Sequence, residues 1–89
     1  MASYEVQLRP AAERELRKLP QQVLSRLAQQ IASLAQDPFP AQSKQLSSDE
    51  RLFRLRVGDY RVVYGVDRSA NVVTVHHVRH RRDVYRKLP

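Results

Sequence analysis

Phe53-Arg54-Leu55-Arg56-Val57-Gly58-Asp59-Tyr60-Arg61-Val62-Val63-Tyr64 is the stretch whose reading decides the fold. Alternation predicts a half-buried strand in its first half, with Phe53, Leu55 and Val57 on one side and Leu52, Arg54 and Arg56 on the other. Gly58-Asp59 turns the chain, and Tyr60 to Val66 resumes as a second strand rich in β-branched and aromatic residues. Tyr60, Val62, Tyr64 and Val66 share one side of it, while Arg61 and Val63 share the other. With both apolar sets turned to one core, Arg54, Arg56 and Arg61 meet on the opposite face.

Working outward, Asp67 to Asn71 reads as a further turn and Val72 to Val78 as a third strand. Connections this short predict an antiparallel meander. Upstream, Tyr4 to Arg9 alternates like a strand, and Pro10 suits the first turn of a helix, where its missing N–H costs nothing. Ala12, Leu16 and Leu19 follow at helical spacing. Pro20 should end that helix and start a second, whose apolar stripe is Leu24, Leu27, Ile31 and Leu34. Asp37-Pro38-Phe39-Pro40 closes the helical region, and a polar loop is expected to run to Glu50. The predicted order is β-α-α-β-β-β, a single α+β domain over residues 1–89. Its small antiparallel sheet carries an N-terminal helical hairpin on one face. The other face lies open, and function is expected there.

Composition narrows the function classes. The 89 residues contain no cysteine, which excludes disulfides, thiolate chemistry and cysteine-based zinc sites. No signal peptide and no apolar run of membrane-spanning length is found, so the expected location is the cytoplasm, without membrane attachment. Sixteen Lys/Arg against nine Asp/Glu leave a net charge of +7, and thirteen of the cations are arginine. Most of the excess lies after residue 43. A one-sided basic charge points to a polyanion or an acidic protein as partner. Arginine in particular binds phosphate bidentately. Three arginines converging on one sheet face, followed by the cation-rich His80-Arg81-Arg82-Asp83-Val84-Tyr85-Arg86-Lys87, form an anion site for which a phosphodiester is the natural ligand. A solvated face and a protein-binding patch are the other readings.

The histidines argue against a metal. His76 and His77 are adjacent on a strand and are expected to point to opposite faces, and carboxylates are sparse around them. No metal and no cofactor is expected. His80, beside Arg81, is the better candidate for a functional role, as proton carrier or RNA contact; Tyr4, Tyr60 and Tyr64 read as core, and Asp83 as an arginine partner.

The segment Phe53 to Tyr64 closely resembles the central strand pair of RelE-like toxins of the RelE/ParE superfamily. His80-Arg81-Arg82-Asp83-Val84-Tyr85 resembles their C-terminal motif, and Ala12-Glu13-Arg14-Glu15-Leu16-Arg17-Lys18-Leu19-Pro20 their first helix. The resemblance implies a ribosome-dependent, metal-independent mRNA endoribonuclease in which the RNA's own 2′-hydroxyl attacks the adjacent phosphate. A cognate antitoxin, covering the basic face with an acidic or amphipathic segment, would hold it inactive; operator DNA would be met only through that complex. Position by position, Arg61 matches the arginine that holds the scissile phosphate and Arg54 a basic residue near it. Arg81 matches the residue near the leaving oxygen, and Tyr85 the one near the attacking hydroxyl. Arg56, Lys44, Arg82 and His80 are the expected further RNA contacts. Leu52 stands where some members carry another lysine, and Arg79 where a glycine often precedes His-Arg.

Two alternatives share this fold. A ParE-like toxin would act on DNA gyrase without cutting nucleic acid, and a weakly active member would serve mainly in a DNA-binding repressor complex with its antitoxin. Tyr85 favours the nuclease over the first, and Leu52 is the feature that favours the second.

Overall fold

The computed structural model describes residues 3–46 and 51–81. Its elements run β1 (Glu5–Leu8), α1 (Pro10–Arg17), α2 (Gln21–Ser33), β2 (Ser43–Gln45), β3 (Leu52–Val57), β4 (Tyr60–Asp67) and β5 (Val72–His80). The two prolines act as expected: Pro10 is the first residue of α1, and Pro20, with φ −58°, immediately precedes α2. The β3–β4 turn needs a left-handed residue and has Gly58 at φ +58°. At the β4–β5 turn Asn71 takes φ +57°, and the Asp67 carboxylate accepts the Ala70 N–H at 3.1 Å.

The strands form one sheet in the order β1-β5-β4-β3-β2. β3, β4 and β5 make the expected antiparallel meander. The sheet as a whole is mixed rather than antiparallel, because β1 returns through the helical hairpin and lies parallel to β5. Helical crossovers are what a parallel neighbour requires. A second difference lies in the expected polar loop, where Ser43–Gln45 pairs with β3 and places Lys44 directly opposite Arg54. Three polar residues carry no periodic signal, so only the neighbouring strand reveals them as an edge.

The third difference is a bulge in β5. Val63 pairs with His77 and Tyr64 with Val75, leaving His76 without an opposite residue. The extra residue shifts the alternation by one. Val73 and Val75 before it and Val78 after it all reach the core. His76 and His77 therefore both belong to the open face, contrary to strict alternation.

The core lies between the helices and the other sheet face. Tyr64, Leu27, Leu34, Leu55, Val62, Val73 and Val75 are fully enclosed there. Each such aliphatic side chain contributes about 1.5–3 kcal/mol by leaving water. Three of the four α2 stripe residues, Leu27, Ile31 and Leu34, are buried, and Leu24 packs partly against them. Tyr64 hydrogen-bonds through its hydroxyl to the Pro38 carbonyl at 2.7 Å, so its one polar atom is satisfied. Beyond the end of β1, β5 would present an unpaired edge. Glu15 of α1 covers it, its Oε1 accepting the Val78 N–H at 2.8 Å. No helix among the described residues is long and apolar enough to cross a membrane.

Candidate functional site

Residues directly opposite on neighbouring strands share a face, so the ladder sorts the open side into rows. One row is Arg56, Arg61 and Arg79, three arginines side by side on β3, β4 and β5. The next is Lys44, Arg54, Val63 and His77. Like charges placed opposite one another destabilise a sheet. This face nevertheless gathers five cations from four strands.

Arg61 sits at the centre and is only 6% exposed. Its Nη1 donates to the carbonyls of Gly58 at 3.3 Å and Tyr60 at 3.1 Å. Both acceptors are neutral. Among the described residues no carboxylate pairs with Lys44, Arg54, Arg56 or Arg61. Burying an uncompensated guanidinium costs several kcal/mol, a cost that an incoming anion removes. The same turn also gathers Arg81, whose backbone N–H donates to the Asp59 carbonyl at 2.7 Å. The Gly58–Tyr60 turn thus carries the head of Arg61 and the start of the C-terminal segment together.

Arg79 differs from its neighbours. Its Nε donates to Glu15 Oε2 at 2.7 Å, and its Nη2 lies 3.2 Å from His77 Nδ1. His77 Nδ1 is in turn 3.7 Å from Glu15 Oε1. One carboxylate therefore covers the β5 edge, pairs with Arg79 and faces His77. Sequence reasoning missed this trio, although Arg79 shares the parity of His77 and stands opposite Arg61. The partner of Arg79 comes from a helix 64 residues away in the chain, which no local pattern shows.

Of the residues singled out from the sequence, Arg54, Arg56 and Arg61 are brought together on the open face, and Lys44 joins them through β2. His80 is corrected. It pairs with Tyr60, and the two rings meet edge-on at 5.2 Å on the core side, away from Arg61. Tyr85, Arg82 and Asp83 lie outside the described residues. His76 lies among cations, and burial together with the Arg9 charge holds its imidazole below the usual histidine range. Burial likewise raises the Tyr64 phenol, as befits a core residue.

Comparison with known proteins agrees with this geometry. Residues 6–85 match the family described as the ParE toxin of the type II toxin–antitoxin system, parDE. Toxin RelE of Mycobacterium tuberculosis is 33% identical over 88 residues, covering 97% of this chain and 90% of that protein. Among solved structures, the toxin–antitoxin complex RelBE2 of the same organism aligns with a TM-score of 0.78 at 29% identity, over 88% of this chain and 98% of the other. The archaeal RelE–RelB complex of Pyrococcus horikoshii aligns at 0.80 and 26%, over 89% and 96%. The arginine-lined sheet and the helical hairpin behind it are those of a RelE-like toxin, and the chain belongs to the RelE/ParE superfamily of type II toxin–antitoxin systems.

Proposed function

We propose that this toxin is an endoribonuclease that cuts mRNA on the ribosome, in the cytoplasm, and that a cognate antitoxin silences it by covering the arginine face. The observation that carries the reading is Arg61: a buried guanidinium in a row of three arginines, bound among the described residues to two neutral carbonyls and to no carboxylate of its own. Such a site is short of negative charge, and a phosphodiester supplies it.

The chemistry follows from what these residues can do. The 2′-oxygen attacks the adjacent phosphorus, forming a 2′,3′-cyclic phosphate as the bond to the 5′-oxygen breaks. The 2′-hydroxyl gives up its proton to the Tyr85 phenolate, and the departing 5′-oxygen takes one from water. Arg61, with Arg54 beside it, holds the phosphate and neutralises the charge that builds on its oxygens. Arg81 stabilises the departing oxygen as a fixed charge, since a guanidinium hardly deprotonates. Tyr85 is assigned to the 2′-hydroxyl, where neighbouring arginines would favour its phenolate. Arg56, Lys44 and Arg82 bind the strand. The 2′-hydroxyl requirement makes the activity specific to RNA.

Relatives solved as toxin–antitoxin complexes support a cognate antitoxin as partner, and operator DNA would be reached through that complex. The match to ParE toxins keeps gyrase inhibition as the second reading. One experiment separates the two: purified protein on translating ribosomes, with the 5′ ends of the mRNA mapped. Cuts in the A site, lost in Arg61→Ala and in Tyr85→Phe, are expected. Intact mRNA together with inhibited gyrase would overturn the nuclease.

A further inference from the structure

The open face has a second feature, at the end of the sheet away from the arginine row. There the ladder aligns Leu52, Gly65 and Thr74 on β3, β4 and β5. Gly65 contributes no side chain, and its place is taken by His76, brought over the strand by the bulge, and by Leu52. A Cβ at residue 65 would stand 3.2 Å from His76 Nε2, tighter than most real contacts. The result is a groove of about 930 Å³ lined by these residues together with Arg9 and Arg68. That volume is in the upper part of the range of about 300–1,000 Å³ found for ligand sites.

The lining suits one part of a nucleic acid better than another. Arg9 and Arg68 line the groove beside one carboxylate among the described residues, Asp67, so its charge favours an anion. Arg68 is held by its contact with the Phe39 ring, 4.6 Å from guanidinium carbon to centroid. Between the cations lie the Leu52 side chain and the His76 ring, a flat and partly apolar lining of the kind on which a base stacks. With its basicity depressed by burial and by Arg9, His76 is neutral at physiological pH and offers one donor and one acceptor to a base edge. Four residues of β4 separate Arg61 from Gly65, roughly 13 Å at the rise of a strand, a length that a few nucleotides cover.

We propose that this groove holds an unpaired nucleobase of the same RNA strand, a few nucleotides from the one at Arg61, against the His76 ring and the Leu52 side chain that close over Gly65. Arg9 and Arg68 attend the flanking phosphates. The groove gives the toxin a preference for particular bases at that position. The proposal rests on the reading of the arginine face as an RNA site.

NMR titration of the isotope-labelled full-length protein with 2′-O-methyl RNA, which cannot be cleaved, tests it. A pentanucleotide is expected to bind about tenfold more tightly than a dinucleotide, shifting the Gly65 amide and the His76 ring signals. Gly65→Val should remove that gain while leaving dinucleotide binding as it was. Arg68→Gln, on an exposed turn, should reduce it in a chain whose core is untouched, so a misfolded Gly65→Val cannot mask the result. Equal affinity for the two lengths, or a length gain that survives both substitutions, overturns the groove. So does an acidic peptide that shifts the same signals when the pentanucleotide does not. Because no cleavage is read, the groove fails independently of the nuclease, which is judged on ribosomes.

Discussion

Arg61 and Arg79 stand directly opposite each other on β4 and β5, and among the described residues only Arg79 has a carboxylate, Glu15, at 2.7 Å. The pair divides the labour of the row. Arg79 is tied to α1 and fixes the sheet to the helix, while Arg61 has only backbone carbonyls as acceptors among the described residues.

From this division, Arg61→Ala is expected to lower the rate of mRNA cutting about 100- to 1,000-fold, the usual effect of removing one donor aimed at developing charge. Arg61→Lys should not restore it, because a lysine has no planar fork to span both backbone carbonyls and a phosphate. Single-turnover cleavage on programmed ribosomes measures both. Wild-type rates in Arg61→Ala would remove Arg61 from the chemistry.

Glu15→Ala leaves the Val78 N–H and the Arg79 guanidinium without their acceptor. Hydrogen bonds to a charged group contribute about 1.5–3 kcal/mol, and in a chain of this size each kcal/mol shifts Tm by about 4–8 °C. A clear fall in Tm is expected in calorimetry, and a smaller one in Glu15→Gln, whose amide oxygen still accepts one bond. An unchanged melting curve for Glu15→Ala would show that water replaces the carboxylate.

His76 gives a pH dependence with a defined sign. Its basicity is lower in the fold than in the unfolded chain, so the unfolded state binds the proton first. Stability is complete above about pH 6.5, the ordinary histidine value, and declines as the pH falls below it. Urea denaturation between pH 7.5 and 5 should show a steeper loss for wild type than for His76→Gln. Parallel curves would mean that the imidazole is not desolvated.

Tyr64 behaves in the opposite sense. Its phenol is harder to ionise in the fold, chiefly because it is buried and also because the Asp37 carboxylate is near. Its contribution is present below about pH 10, the ordinary tyrosine value, and is lost as the pH rises through the raised folded one. Tyr64→Phe removes the hydroxyl and leaves the Pro38 carbonyl unsatisfied, at a cost of about 1–3 kcal/mol. Denaturation at neutral pH measures the cost, and ultraviolet titration of the phenols follows the ionisation.

Much of this molecule was legible along the chain. Alternation in β3 and β4 put Arg54, Arg56 and Arg61 on one face, and Pro10 and Pro20 marked where the helices begin, because strand parity and proline geometry are local properties of the backbone. His80 shows where local reading stops. Its neighbour Arg81 suggested the arginine surface, but the bulge at His76, four residues earlier, had already reversed the parity of the strand.

What the sequence by itself determined is the order of elements, the apolar face of each and the excess of arginine on the other. Only the tertiary structure decided which of those arginines meets a carboxylate among the described residues. Glu15 reaches Arg79 from a distant helix, Lys44 joins through an edge strand without periodicity, and Gly65 becomes a groove only when His76 bulges over it. Each depends on which strand becomes a neighbour and in what register. Register is settled by burial summed over the whole core, a quantity that no local window contains.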